Sequence, residues 1–272
     1  MANKRCQPSR LPLPALLGVA ALLGGAAVRA ACGPYDVAMY KLGSLYYLDE
    51  RTDSYVGIDK DVVDEVARRT GCLFKPFVES RVRIWAHLAD GSLDMSVSGI
   101  PNPEREQFAR FVVYFRSRNY LLVRNDRAAR IDSLEAFTAD PTLRLAIVKS
   151  FRHGASYDPW IQTLRAQGRV HEYSDPEIVA RMVSLGHADA FLAMPTAWDV
   201  LLKRYQLEGK VDFVDASPDD RIAHGLILSR KRVSDEDVQS MKWAIEAMRA
   251  DGTLEAIFRR HLPSDVARRI LP

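Results

Sequence analysis

The sequence is poor in cysteine and histidine, with three and six in 272 residues. So few cysteines exclude a disulfide-dense miniprotein. The histidines are scattered and show no paired metal-ligand spacing, so each is read as structural and no metal site is expected. There is no glycine-rich phosphate loop and no serine nucleophile elbow. No short repeat or low-complexity stretch is visible. A dominant charge is missing too. Lys+Arg number 38 against 35 Asp+Glu, a net of +3. Lys4, Arg5, Arg10 and Arg29 lie in the first thirty residues, where there is no acid, and without those four the net is −1. Such a balance excludes the basic footprint of a nucleic-acid or membrane-surface binder. What remains is 47% hydrophobic and 27% charged, a globular composition with enough length for a sizeable core in one or two domains.

Only one long apolar run is present, residues 11–28, and it follows the positive Lys4, Arg5 and Arg10. Val28 and Ala30 stand at −3 and −1 of a cleavage site before Ala31. This is the pattern of a secretory signal peptide over residues 1–30. An uncleaved anchor is the alternative, although Pro12 and Pro14 interrupt the start of the run. A lipid on Cys32 is another, but Arg29 three places before it fits a lipid-attachment site poorly. The expected location is the periplasm, reached through a cleavable signal.

Export places Cys32 and Cys72 in an oxidising compartment. Cys6 leaves with the signal, so an even pair remains. The pair would join the starts of strands at 35–40 and 73–78. If those strands are parallel neighbours, a bridge of normal geometry closes a loop of roughly 40 residues. Two free buried thiols are the alternative.

The periodicity predicts alternating strands and helices. Strands are expected at 36–40, 73–78, 93–98, 111–114 and 120–123, with Pro76 marking an edge. Helices are expected at 61–70, capped by Asp61 and stopped by Gly71, at 83–89, and at 133–137, capped by Asp132. A second set follows. Its strands fall at 143–148, 170–173, 188–193 and 211–214, and its helices at 157–167, 176–185 and 196–205. A strand at 225–228 and helices at 235–250 and 253–260 end the chain. Alternation of this kind implies an α/β fold with largely parallel sheets in two lobes.

Four segments carry a resemblance. They are Gly57-Ile-Asp-Lys-Asp61; Leu88-Ala-Asp-Gly-Ser-Leu-Asp-Met-Ser-Val-Ser-Gly-Ile100 with Pro101-Asn-Pro-Glu-Arg105; Gly186-His-Ala-Asp-Ala-Phe191; and the tail from Met241 to Phe258. In this order, after a signal peptide, they resemble the periplasmic solute-binding proteins of amino-acid ABC transporters, the family 3 extracellular binding proteins. The resemblance implies a two-lobed, type II periplasmic-binding fold with a ligand cleft between the lobes. Lobe 1 would be 31–122 plus 226–272 and lobe 2 would be 123–225, with crossovers near 119–125 and 222–229. It also implies no cofactor, a monomer, a small carboxylate-bearing ligand and an inner-membrane ABC permease as partner.

The family's arginine after the third strand corresponds to Arg105, which would grip a ligand carboxylate with its guanidinium fork. A surface arginine paired with Glu104 or Glu106 is the plainer reading. Ser98, Gly99 and Ile100 would line the same loop, and Asn102 stands where the family has a threonine. An aromatic after the first strand would cover the ligand. Tyr46 is the first choice and Tyr40 the second, against simple packing within the lobe. In the second lobe, Phe151 and Arg152 occupy the loop that offers helix-start amides in the family, with Arg152 as a second anion contact or a solvated loop residue. Arg81, Arg83 and Lys149 would add positive potential to the cleft. Asp59 and Asp61 are read as loop and cap residues.

The main departure is Met194. The family's ammonium-binding acid falls at this position, and methionine cannot balance an ammonium. Either Asp158 or Glu79 serves instead, or the ligand has no amine. The expectation is a binding protein for an amino acid or related organic anion. Two alternatives stay open. One is an enzyme on the same scaffold, resembling cyclohexadienyl dehydratases, with Glu79 or His153 as acid–base group. The other is a sensory module acting in trans.

Overall fold

The structure is a computed structural model, and it describes residues 1–3, 32–126 and 131–271. The expected export signal falls outside the described residues apart from residues 1–3.

Strand β1 (Tyr35–Met39) is followed by a 3₁₀ turn (Gly43–Leu45), a hairpin of β2 (Tyr47–Asp49) and β3 (Ser54–Val56), and helix α1 (Ile58–Thr70). Then come β4 (Phe74–Val78), α2 (Arg81–Asp90), β5 (Met95–Gly99), a second 3₁₀ turn (Arg105–Gln107) and the long β6 (Ala109–Ser117). The middle of the chain holds β7 (Tyr120–Arg124), α3 (Leu134–Ala139), β8 (Leu145–Val148), α4 (Tyr157–Ala166), β9 (Val170–Tyr173), α5 (Pro176–Ser184), β10 (Ala190–Ala193), α6 (Pro195–Arg204) and β11 (Val211–Val214). The chain ends with β12 (Ile222–Ser229), α7 (Asp235–Ala250), α8 (Thr253–His261) and α9 (Ser264–Ile270).

Two five-stranded sheets result, ordered β4-β1-β5-β12-β6 and β11-β7-β10-β8-β9. In the first, β1 runs parallel to β4 and β5, and β12 is antiparallel to β5 and β6. In the second, β8 runs parallel to β9 and β10, and β7 is antiparallel to β10 and β11. Parallel strands end at a common edge. The loops after β1, β5, β8 and β10 therefore gather at the carboxyl ends of the sheets, where open α/β folds place ligands.

The crossing points differ from expectation. β7 pairs entirely within the second sheet and β12 entirely within the first. The chain thus crosses at residues 118–119 and 215–221, not at 119–125 and 222–229. The two crossings are tied together: Arg118 donates to Asp215 Oδ2 at 2.7 Å and to the Pro218 carbonyl at 3.1 Å.

Local chemistry explains the element ends. At Gly57, φ is 136°, and a Cβ there would lie 2.4 Å from the Leu45 carbonyl oxygen, so only glycine opens α1 at this point. The helix therefore starts a turn before Asp61, which is not its cap. Asp61 instead accepts hydrogen bonds from Arg260 at 2.9 Å and pairs with His261 at 2.8 Å, fastening α8 to α1. Ile58, Val62, Val63 and Val66 form the buried stripe of α1, and Gly71 ends it in the left-handed conformation. Helix α3 is capped by the Ser133 hydroxyl, not by Asp132. Pro76 sits on β4, the edge strand, as expected. The hairpin β2–β3 and helix α9 were not expected from the sequence.

The larger apolar cluster runs from the first lobe into the second without a break, through Leu42, Met194, Ala197 and Leu201. A separate cluster of Leu121, Val123, Phe137, Leu145 and Ile147 fills the other face of the second sheet. The alternation of Leu121 and Val123 against Leu122 follows from the two-residue period of β7.

Cys32 and Cys72 form a disulfide with a Cα separation of 4.4 Å, joining the stems of the parallel neighbours β1 and β4. A sulfur bonded this way is not free to carry a lipid. The bridge closes a sequence separation of 40. Its removal is expected to cost about 3–4 kcal/mol through the entropy of the unfolded chain. Urea unfolding with and without reductant checks this, and an unchanged midpoint would contradict it.

Candidate functional site

Arg105 and Arg81 mark the place where the two lobes meet. Arg105 stands at the start of the 3₁₀ turn after β5 and is buried. Its backbone N–H donates to Asn102 Oδ1 at 2.8 Å, which shapes the turn. Nη1 donates to the Ile100 carbonyl at 2.9 Å, and Nη2 crosses to the second lobe to reach the Ser150 carbonyl at 2.8 Å. The guanidinium lies 3.7 Å from the centroid of the Trp85 ring, a cation–π stack. Burial first, then the nearby charges of Arg81 and Arg152, push Arg105 down to about 9, which leaves it charged at neutral pH.

Arg81 opens α2 and is only 2% exposed. Its guanidinium lies 4.2 Å from the Tyr40 ring centroid and 5.8 Å from that of Phe151, which belongs to the second lobe. Nη1 makes a long contact of 3.4 Å with the Val97 carbonyl. Among the described residues, Nε, Nη2 and the Tyr40 hydroxyl have no hydrogen-bond partner of ordinary geometry. Burial lowers the pKa of Arg81, while Tyr40 and Asp59 act in the opposite sense.

Below Arg81 lies a polar network. Asp59 is 1% exposed and accepts hydrogen bonds from Ser98 Oγ at 2.8 Å and from Tyr114 Oη at 2.5 Å. Burial raises its pKa to about 7, against the lowering effect of those bonds and of Arg81. His224 is fully buried and stacks on Phe115 at 4.5 Å. Burial, with Arg81, lowers it to about 3, so its ring is neutral. Ser98 and Ser150 both adopt positive φ, 49° and 64°, at the ends of strands facing the other lobe. Non-glycine residues held there are strained, a feature that concentrates at binding sites.

The cleft is filled by the chain's own side chains. Leu42, Val148, Phe151, Met194, Ala197 and Leu201 surround a pocket of about 20 Å³. That holds about one water molecule, whereas small-molecule sites run to roughly 300–1,000 Å³. The lobes also touch through backbone: a Cβ on Gly43, at φ 50°, would lie 2.4 Å from Ala197 Cα. At the rim, Arg152 and Glu104 approach to 3.6 Å, as do Arg204 and Glu50, exposed pairs that contribute little.

The residues singled out in the sequence separate into two groups. Ser98, Ile100, Asn102, Arg105, Tyr40 and Phe151 come together at the meeting of the lobes. Tyr46 does not. Its ring stacks on Tyr55 of the hairpin with centroids 5.1 Å apart. Arg152 is half-exposed at the rim. Gly99 is a packing glycine, since a Cβ would meet Ile227 at 2.3 Å. Lys149 is exposed. Met194 lines the pocket, and no aspartate or glutamate does. Glu79 accepts from the Ser80 backbone and from Arg83, and Asp158 accepts from the His153 backbone. Trp85, Tyr114, Ser150 and His224 are at the site but carry no sequence signal beyond their residue type.

An open groove of about 910 Å³ lies elsewhere, between the hairpin, α6 and the end of α8. Its arginines are already paired: Arg51 with Asp49, Arg204 with Glu177, and Arg260 with Asp61. It is a surface concavity of mixed charge.

Comparison with known proteins fits this architecture. The family model of bacterial extracellular solute-binding proteins, family 3, matches residues 43–264. The chain belongs to that family. No curated protein matches the sequence. Among solved structures, an ancestral arginine-binding protein bound to arginine superposes with a TM-score of 0.72 at 18% identity, covering 85% of this chain and 99% of that one. A histidine kinase sensor domain with similarity to periplasmic binding proteins gives 0.72 at 13% identity, covering 86% and 98%. The ancestral amino acid-binding protein AncCDT-1, a precursor of cyclohexadienyl dehydratase, gives 0.67 at 20% identity, covering 85% and 96%. These likenesses establish the two-lobed periplasmic-binding fold.

Two outcomes are expected at the site. Folded Asp59 keeps its proton up to about pH 7, whereas an unfolded aspartate loses it near 3.9. Its contribution to stability is therefore complete below pH 4 and is lost as pH rises to about 7. The stability difference between wild type and Asp59→Asn should fall by a few kcal/mol over that range in urea titrations. A constant difference would contradict the assignment. Separately, Gly43→Val should force the lobes apart, raise the radius of gyration in solution scattering and cost about 1–3 kcal/mol. Unaltered scattering would show that the Gly43 contact does not hold the lobes together.

Proposed function

We propose that the protein captures a small carboxylate-bearing solute in the periplasm by closing its two lobes, and delivers it to an inner-membrane ABC permease. The observation that carries this reading is Arg105, a buried guanidinium that bonds to Ile100 in one lobe and Ser150 in the other. A guanidinium held in this way latches one lobe to the other in the closed form, so closure over a bound solute is fastened by the chain's own bonds. The crossings at 118–119 and 215–221 are the two short segments about which the lobes can swing. Family membership and the signal pattern of residues 1–30 support export and capture. Binding is favoured over turnover because Glu79 is engaged by Ser80 and Arg83 and does not line the pocket.

A sensory module acting in trans is the second reading. It is favoured by the apolar cluster that continues across the cleft, which lets the chain's own side chains hold the lobes together.

Thermal unfolding against a panel of amino acids, dicarboxylates and aromatic carboxylates tests capture. A ligand at 100 times its dissociation constant stabilises by about 2.7 kcal/mol, or roughly 5–10 °C for a chain this size. The shift should be lost in Arg105→Ala. No shift across the panel would contradict solute capture.

A further inference from the structure

We propose that the anion-receiving group of the cleft is Arg81, and that the ligand is a carboxylate with an apolar, ring-sized body and no ammonium group. The inference rests on the solute-binding reading and specifies its ligand.

Three observations lead to it. The first is the free edge of Arg81. Nε and Nη2 form the side of a guanidinium that receives a carboxylate in a bidentate pair. On Arg81, this edge makes no hydrogen bond of ordinary geometry among the described residues; the Tyr40 hydroxyl approaches the guanidinium without reaching such geometry. The residue is 2% exposed, and Asp59, the acid that acts on it, bonds to Ser98 and Tyr114 rather than to its guanidinium. A buried cation in this condition is costly unless something completes it. Arg105 differs, because its two terminal nitrogens are already occupied by Ile100 and Ser150. Arg105 acts here as a latch between the lobes, and Arg81 is the group that lacks a partner.

The second observation is Phe151. Its ring faces the Arg81 guanidinium from the second lobe and also lines the pocket. It occupies the seat that a ring-sized body would take. When the lobes part, Phe151 moves with the second lobe away from Arg81 and uncovers its edge; the seat, walled mostly by the second lobe, opens when the Phe151 ring swings aside.

The third is the character of the walls. Leu42, Val148, Val179, Met194 and Leu201 are apolar; of the polar lining residues, Asn119 is engaged with the His153 carbonyl and the His153 ring lies 3.8 Å from Asp158. Asp59, the acid beside Arg81, is turned to Ser98 and Tyr114. An ammonium brought into this space would find no carboxylate in its lining to pair with directly, a heavy cost. A carboxylate on Arg81 with an apolar body on these walls meets both demands.

The test uses matched probes. 3-Phenylpropionate, L-phenylalanine and 3-phenylpropanol share one skeleton and differ by the amine or the carboxylate. Calorimetric titration of the purified protein should show 3-phenylpropionate binding at least about tenfold tighter than either of the others. Arg81→Met should abolish the preference for the carboxylate over the alcohol. Because that variant removes a buried group and can fail to fold, Phe151→Ala provides a second arm. It vacates the seat and should tighten binding of 3-phenylpropionate. The inference is overturned if L-phenylalanine binds as well as 3-phenylpropionate, if folded Arg81→Met keeps the preference, or if Phe151→Ala leaves affinity unchanged. Amino-acid binding that is lost in Arg105→Ala but kept in Arg81→Met would overturn the inference and leave solute capture standing. Solute capture itself falls only when the broader thermal panel also gives no shift.

Discussion

Two positive charges are buried side by side where the lobes meet, and no carboxylate lies within 4 Å of either among the described residues. Desolvating a guanidinium costs several kcal/mol even after relaxation. The surrounding structure answers that cost with aromatic faces and carbonyls. Trp85 lies under Arg105, and Tyr40 and Phe151 flank Arg81. The Ile100, Ser150 and Val97 carbonyls accept what bonds they can. The turn after β5, the loop after β8 and the start of α2 are each shaped to bring those groups into place. Only the free edge of Arg81 remains unanswered, and the account of the cleft turns on it.

The network beneath the cleft follows from the same constraint. A full negative charge at Asp59 would have to be buried near Arg81 without direct pairing. Burial instead raises the Asp59 pKa to about 7, against the bonds from Tyr114 and Ser98 that favour the carboxylate. His224 stays neutral because burial disfavours its protonated form, and the nearby charge of Arg81 adds to that effect. The first lobe thus presents a rigid polar floor, while the second brings Phe151 and an apolar wall. In the proposed capture, closure exchanges one filling of the cleft for another.

Much of the fold could be read from residues alone. The stripe of Val62, Val63 and Val66, the stop at Gly71 and the proline on β4 each specify local geometry through a local rule. Pairing of Cys32 with Cys72 followed from parity and compartment. The crossings were misplaced because the alternation of β7 is the same whichever sheet it joins. Three-residue strands such as β2 and β3 carry too little pattern to register, and missing them concealed why Tyr46 turns to Tyr55 rather than to the cleft. In the sequence Arg81 reads only as added positive potential, because it falls before the helix expected at 83–89 and nothing local signals its burial. Its burial depends on Tyr40 and Phe151, which lie far from it in the chain. Met194 was the informative departure, and its place in the pocket wall is consistent with a ligand that needs no acid there.

The most direct measurement is a crystal structure of the protein with 3-phenylpropionate bound. The account predicts the carboxylate within hydrogen-bond distance of Arg81 Nε and Nη2, with the phenyl ring in the seat that Phe151 leaves. A carboxylate held on Arg105, with Phe151 still against Arg81, would contradict it.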